Sequence, residues 1–124
     1  AKDNRTCGLR VVGEGHSLRI ENRIPGADAN PYLAFAATIA AGLYGIENKI
    51  APPAEFKGNA YESQVQPVPK TLAEAIALWE GSQAARKAFG QEVFAHYLHT
   101  AKAEQAAHDR AVTDWEKGRN FERV

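Results

Sequence analysis

The pattern typical of β-strands is confined to the first 25 of 124 residues, and this limits the folds open to the chain. An apolar run at 9–12 precedes the turn signal Gly13-Glu14-Gly15, and a second run follows at 18–24. The two runs predict a short β-hairpin. Because a two-stranded hairpin is marginal alone, we expect further protein beside this sheet.

The remaining residues predict helices. Asn30 suits a helix N-cap and Pro31 suits the first helical position, so a helix is expected over 30–48. This segment contains an 18-residue stretch without charge, between Asp28 and Glu47. The stretch reaches the lower length limit of a membrane span, but its alanine and glycine content favours a helix buried in surrounding protein. We therefore expect no membrane association.

A loop rich in turn-forming residues is expected over 49–70, with C-terminal helices over 71–124. Thr71 and Glu74 have capping-box spacing, and apolar residues at 72, 75, 76 and 79 share one helical face. A break at 81–82 predicts a short helix ending near Gly90, followed by a long helix from 91 to about 117. The predicted fold class is α+β and mostly helical: a short antiparallel β-hairpin over 1–25, followed by about four helices.

The overall charge and the cysteine count narrow the possible environments. Lys plus Arg equals Asp plus Glu at 15 each, and this balance argues against nucleic-acid binding. The lone cysteine, Cys7, cannot form an internal disulfide, and the polar N-terminus lacks an apolar signal segment. A cytoplasmic location is therefore the expectation.

Residues of functional interest cluster in the predicted hairpin. Strand alternation places Arg19, Glu21 and Arg23 on one face, and Arg5 and Arg10 lie on the preceding segment. A solvated face with weak ion pairs is one interpretation. The alternative is an anion site, because guanidinium groups bind phosphate or carboxylate bidentately. A carboxylate among them would then hold a divalent metal that bridges phosphate oxygens.

The order and spacing of these motifs resemble the C-terminal part of the glutamine synthetase catalytic domain. The segments that carry the resemblance are Asn4-Arg5-Thr6, Arg10, Arg19-Ile20-Glu21-Asn22-Arg23, Ala29-Asn30-Pro31-Tyr32 and residues 42–50. The resemblance implies a ligase that uses ATP to phosphorylate the γ-carboxylate of glutamate. Ammonia or an amine then displaces the phosphate and forms a γ-glutamyl amide.

The resemblance also implies a role for each matching residue. Glu21 corresponds to a ligand of Mg²⁺ or Mn²⁺, the metal that bridges the nucleotide phosphates. Arg5 corresponds to a catalytic arginine that contacts the ATP phosphates and the transferring phosphoryl group. Arg10 and Arg19 correspond to further arginines on the nucleotide side, and Arg23 to the arginine facing the glutamate carboxylate. Phosphoryl transfer needs this kind of positioning and dispersed positive charge.

Two departures from the family pattern shape the functional hypothesis. Val11-Val12 follows Arg10 where typical members have Ile-Pro, and the tail over 114–124 also differs. Both features are closer to the branch that joins glutamate to polyamines or other amines. The family's N-terminal β-grasp domain and its other metal ligands have no counterpart here. We therefore expect a fragment that is inert alone and belongs to a homo-oligomeric enzyme.

Other interpretations stay open at this point. The chain could be a non-catalytic assembly or partner-binding module derived from the same fold, or a free-standing anion sensor. Glu92, His96 and His99 recur at helical spacing and could form a zinc face, although surface histidines are the commoner explanation. Cys7 lacks an identifiable base and is more simply a packed small side chain than a nucleophile.

Overall fold

The computed structural model describes residues 1–121 and 123, which belong to two compact units, Ala1–Val68 and Pro69–Val124. The first unit contains an antiparallel hairpin and one helix, and the second contains three helices. The elements are β1 (Leu9–Val12), β2 (Arg19–Asn22), α1 (Pro31–Glu47), α2 (Leu72–Gly81), α3 (Gln83–Asp109) and α4 (Asp114–Asn120). This architecture confirms the predicted fold class.

The hairpin register places the charged residues opposite one another. Arg10 pairs with Glu21, and Val11 pairs with Ile20 on the other face of the sheet. The connection needs glycine at position 13, because φ is +82° there and a Cβ atom would overlap the carbonyl oxygen of Ser17. On the other side of β1, Lys2 forms a parallel bridge with Val11. Both edges of β1 therefore have a backbone neighbour.

Helix α1 begins where the sequence predicts. The Asn30 side-chain oxygen accepts hydrogen bonds from the backbone N–H groups of Tyr32 at 3.0 Å and Leu33 at 3.3 Å. Pro31 occupies the first turn, where a missing N–H costs nothing. Asn48 ends the helix, and its own N–H returns to the carbonyl of Tyr44 at 3.0 Å.

An apolar stripe of α1 is exposed in the first unit. Its large side chains are Tyr32, Phe35, Ile39, Leu43 and Ile46. No side chain of α1 is buried, so the expectation that other protein covers this helix stays a prediction. None of the helices in the described part of the chain combines the length and apolar character needed to cross a membrane.

Side-chain hydrogen bonds cap the starts of α2 and α3. The Thr71 hydroxyl accepts a hydrogen bond from the Glu74 N–H at 3.2 Å, as the predicted capping box requires. The Glu74 carboxylate, however, accepts from the Lys70 N–H at 2.7 Å, so only half of the predicted box forms. Ser82 follows α2 directly and caps α3, because its hydroxyl accepts from the Ala85 N–H at 3.0 Å.

Helix α3 is interrupted where the sequence predicts a break. Gly90 has φ 74° and ψ 161°, a conformation that favours glycine. Arg86 spans the interruption, donating to the Gln91 side-chain oxygen at 3.0 Å and to the Glu80 carbonyl at 3.4 Å. Its guanidinium carbon also lies 4.0 Å from the centre of the Phe94 ring. The predicted short helix before Gly90 and long helix after it are both present.

Phe94 forms the centre of the second unit, with a side chain that is 1% exposed. Trp79 stacks on it with ring centroids 5.3 Å apart, and the indole N–H donates to the Phe94 carbonyl at 3.2 Å. Phe89 adds a tilted contact with Trp79 at 5.5 Å. Lys102 and Glu80 join α3 to α2 at the surface with an ion pair of 2.7 Å. The two helices thus pack through aromatic side chains.

The predicted end of the long helix was wrong. α3 stops at Asp109 rather than near residue 117, and α4 begins separately after Thr113. The reason is a capping box: the Thr113 hydroxyl accepts from the Glu116 N–H at 3.2 Å, and the Glu116 carboxylate accepts from the Thr113 N–H at 2.8 Å. This reciprocal pair satisfies N–H groups that would otherwise be free and starts a new helix.

Replacing Phe94 by alanine should destabilise the chain by about 3–5 kcal/mol, because the substitution leaves a cavity beneath Trp79. Denaturant unfolding followed by Trp fluorescence measures the change. Phe121→Ala is the matched control, since that ring is 85% exposed. Equal effects of the two substitutions would contradict the assignment of Phe94 as the core residue.

The cap of α4 should depend on pH. Hydrogen bonds from the Thr113 backbone and then its hydroxyl hold the pKa of the Glu116 carboxyl below its usual range. Because folding lowers this pKa, the cap stabilises α4 above the ordinary carboxyl pKa and is lost as pH falls through the lowered value. NMR titration of the carboxyl and of the α4 amides checks this. Glu116→Gln should remove the carboxyl-linked amide shifts, and an ordinary pKa for Glu116 would count against the cap.

Candidate functional site

The charged face of the hairpin is organised around Glu21. Its side chain accepts hydrogen bonds from Arg23 at 2.7 Å through Oε1 and from Arg10 at 2.8 Å through Oε2. The Arg23 hydrogen bond, followed by that of Arg10, holds the pKa of the Glu21 carboxyl below its usual range despite partial desolvation. Glu21 is therefore an ionised carboxylate that is half-exposed between two cations.

Arg10 is the more enclosed of these two arginines, with a side chain 14% exposed against 35% for Arg23. Its Nε donates to Asp3 Oδ1 at 2.9 Å, and its Nη2 pairs with the same oxygen. This contact raises the pKa of Arg10 and lowers that of Asp3. Asp3 also has φ 48°, a left-handed backbone that aspartate tolerates better than most residues. Arg10 is thus fixed between two carboxylates.

Sequence reasoning did not identify Asp3 as part of this cluster. The contact joins a turn before β1 to a residue within β1, and the periodicity of strand residues carries no information about it. The sequence does place this one acidic residue directly before the Asn4-Arg5-Thr6 motif. Charge complementarity could have suggested Asp3 as an ion-pair partner of a nearby arginine.

The structure places the other two predicted arginines outside this network. Arg19 donates to the Ser17 carbonyl at 3.1 Å, and its side chain is otherwise exposed. Arg5 is exposed and makes no hydrogen bond or ion pair with other residues in the described part of the chain. Arg10 and Arg23 are thus committed to the network, whereas the guanidinium groups of Arg5 and Arg19 lie outside it and are accessible.

The segment around Arg5 is tied to a distant loop. The Asn4 side-chain N–H donates to the Gly58 carbonyl at 2.9 Å, and the Ala60 N–H donates to the Thr6 hydroxyl at 2.9 Å. Within the segment, the Asn4 side-chain oxygen accepts from both the N–H and the hydroxyl of Thr6, at 2.9 and 2.7 Å. The sequence motif draws attention to Arg5, and its spacing gives no signal for these contacts of Asn4 and Thr6.

Glu21 suits one ligand position of a divalent metal but does not complete a site. Each carboxylate oxygen accepts one guanidinium hydrogen bond and keeps a second lone pair. Mg²⁺ and Mn²⁺ favour such oxygen donors, in sets of about six. Residues 1–121 and 123 contain no group of three or more His, Cys, Asp or Glu side chains able to hold a metal. This applies equally to Glu92, His96 and His99.

The arrangement is suited to binding anionic oxygens. Exposed guanidinium groups present planar pairs of N–H donors, which match the oxygens of phosphate and carboxylate groups. A carboxylate beside them can share a cation with the same anion. The chemistry that such an arrangement favours is positioning and charge stabilisation.

Comparison with known proteins agrees with these features. A model of the glutamine synthetase catalytic domain matches residues 1–120. Gamma-glutamylethanolamide synthetase of Streptomyces coelicolor is 58% identical over 122 residues, which cover 98% of this chain and 26% of that protein. Glutamate–isopropylamine ligase of a Pseudomonas species is 41% identical over 121 residues, covering 94% of this chain and 26% of that protein.

The fold comparison gives the same answer. The structure of ligand-free GmaS matches with a TM-score of 0.84 and 30% identity, covering 97% of this chain and 28% of that one. The chain spans about a quarter of the length of these relatives. Both sequence relatives are named for an amine or amide other than ammonia or glutamine, which confirms the resemblance to the amine-ligase branch. This chain therefore belongs to the glutamine synthetase catalytic-domain family.

Proposed function

We propose that this chain is part of an ATP-dependent ligase that forms a γ-glutamyl amide from glutamate and an amine, through γ-glutamyl phosphate. The observation that carries the proposal is Glu21, held ionised between Arg10 and Arg23 in a member of a ligase family. Because the chain spans a quarter of its relatives and lacks a complete metal ligand set within the described residues, we expect it to be inert alone.

The arginines differ in how many N–H donors remain free to bind a ligand, and this difference suits them to different parts of the substrates. A guanidinium group carries five N–H donors, and Arg10 commits three of them to Asp3 and Glu21. Arg5 commits none to the described residues and suits the transferring phosphoryl group, where charge changes most during reaction. Arg19, with one donor used, suits the ATP phosphates together with Arg10.

The substrate side of the site is proposed to lie at Arg23. Its guanidinium donates once to Glu21 and keeps its remaining donors for the carboxylate of glutamate. Glu21 would contribute one oxygen ligand to Mg²⁺ or Mn²⁺, and this ion supplies charge neutralisation for ATP when bound. The other ligands would come from parts of the enzyme outside residues 1–124.

The amine and the setting of the reaction are also proposals. The names of the two sequence relatives favour an alkyl amine or amino alcohol over ammonia as the acceptor. We further propose a cytoplasmic homo-oligomer that binds neither nucleic acid nor membrane. The exposed apolar face of α1 supports the homo-oligomer, and the balanced charge supports the absence of nucleic-acid binding.

A second candidate function is a non-catalytic assembly module. The specific observation in its favour is the same apolar stripe on α1, which could bind a partner without any chemistry at the arginine cluster. Such a module would be indifferent to substitutions at Arg19, Glu21 and Arg23.

Glu21→Ala in the full-length polypeptide should lower amine-dependent phosphate release from ATP on the order of 100-fold, because it removes a metal ligand and the carboxylate shared by Arg10 and Arg23. Phosphate release with glutamate and amine measures the effect. Glu14→Ala is the matched control, since its side chain is 86% exposed and its ion pair with Lys2 is long, at 3.6 Å. Turnover that ignores the Glu21 substitution would favour the non-catalytic module.

The acceptor preference should appear in the specificity constant. With glutamate and ATP saturating, we expect kcat/KM for ethanolamine, isopropylamine or a polyamine to exceed that for ammonia by at least about tenfold, a difference that a few apolar contacts can supply. Product identification by mass spectrometry distinguishes the γ-glutamyl amide from glutamine. A preference for ammonia would contradict the amine-ligase proposal while leaving the ligase chemistry intact.

A further inference from the structure

Two polar side chains flank Arg5 and point away from it. Asn4 and Thr6 are half-buried, whereas Arg5 between them is exposed. Both flanking side chains bind the loop at 58–60, 54 residues further along the chain, through hydrogen bonds of 2.9 Å. A turn that buries its neighbours in this way presents Arg5 outward from a fixed backbone.

The hydrogen bonds form a connected network. The Thr6 hydroxyl donates to the Asn4 side-chain oxygen at 2.7 Å and accepts from the Ala60 N–H, so its proton has one defined direction. The Asn4 amide is oriented in the same way, with its oxygen on Thr6 and its N–H on Gly58. Connected hydrogen bonds of this kind reinforce one another and fix a single geometry.

The loop that receives these bonds is itself braced. The Asn59 side chain accepts from the Tyr61 N–H at 3.1 Å and donates to Glu62 at 2.7 Å. The Ser63 hydroxyl donates to the Ala60 carbonyl at 2.8 Å. The segment around Arg5 therefore rests on a short turn with its own hydrogen bonds, rather than on an unsupported loop.

Arg5 has no comparable support of its own. Its side chain makes no hydrogen bond or ion pair with the described residues, in contrast to Arg10, Arg19 and Arg23. Apart from its charge attraction to Asp3, the placement of its guanidinium group therefore depends on the backbone at 4–6. A backbone shift of about 1 Å can cost a catalytic group on the order of 100-fold in rate.

We propose that Asn4 and Thr6 are positioning residues for Arg5, acting by anchoring its backbone to the loop at 58–60. This inference rests on the proposed function, in which Arg5 contacts the ATP phosphates. It adds that the reaction depends on a hydrogen-bond network that touches no substrate. It also assigns a task to the loop at 58–60, which lies far from the arginine motif in sequence.

The test compares two substitutions at one position in the full-length polypeptide. Thr6→Val keeps the shape and removes the hydroxyl, whereas Thr6→Ser keeps the hydroxyl. Thr6→Val should raise KM for ATP and lower kcat, each on the order of tenfold, and leave KM for the amine unchanged. Thr6→Ser should stay close to wild type. Partial unfolding would lower kcat alone, so the combined change distinguishes positioning from general damage.

Two further variants complete the experiment. Thr100→Ala removes a side-chain hydrogen bond to the His96 carbonyl within α3, outside residues 4–6 and the loop at 58–60, and it should behave like wild type. If Thr6→Val does not fold, Asn4→Asp replaces it, because aspartate keeps the acceptor for Thr6 and loses the donor to Gly58. Asn4→Asp should show the same rise in KM for ATP.

The outcomes separate this inference from the proposed function. An active wild type together with unchanged kinetics in Thr6→Val overturns the positioning role alone. If the wild type turns over no amine, the proposed reaction fails, and the Kd for ATP becomes the measurement. A Kd raised on the order of tenfold in Thr6→Val but not in Thr6→Ser then supports the positioning role. Equal Kd values, or no ATP binding by the wild type, overturn it.

Discussion

Glu21 sits between two guanidinium groups on a two-stranded hairpin, and the ion pairs described at the candidate site involve it or Arg10. Half-exposed ion pairs of this kind add little to stability. Their effect is on charge and geometry, because Arg23 and Arg10 keep the carboxylate ionised and fix its two oxygens. Asp3 extends this chain of ion pairs, because its carboxylate accepts a hydrogen bond from Arg10.

The parts of the structure that the sequence predicted are those controlled by local rules. Strand alternation placed Glu21 beside Arg23, and the register adds Arg10 directly opposite. The cap at Asn30 and the break at Gly90 follow from the backbone preferences of single residues. Such signals act within a few positions, so they can be read from one sequence without knowledge of the tertiary contacts.

The parts that were missed depend on longer-range or competing contacts. The residue types at 91–109 and at 114–120 both favour helix, so composition gives no sign of a break between them. The break is marked by the reciprocal hydrogen bonds between Thr113 and Glu116, which start α4. The contacts of Asn4 and Thr6 join segments 54 residues apart, a separation at which no periodic pattern operates. The burial expected for α1 stays a prediction.

The interruption of α3 has a mechanical consequence. Glycine leaves the backbone at position 90 free to act as a hinge, so the angle between the helical segments on either side is not set by the main chain. The Arg86 side chain crosses this hinge. It donates hydrogen bonds to the Glu80 carbonyl and to the Gln91 side chain, and its guanidinium group lies over the Phe94 ring. Arg86 and Trp79, which contacts Phe89 before the break and Phe94 after it, therefore fix the angle of the bend through their side chains.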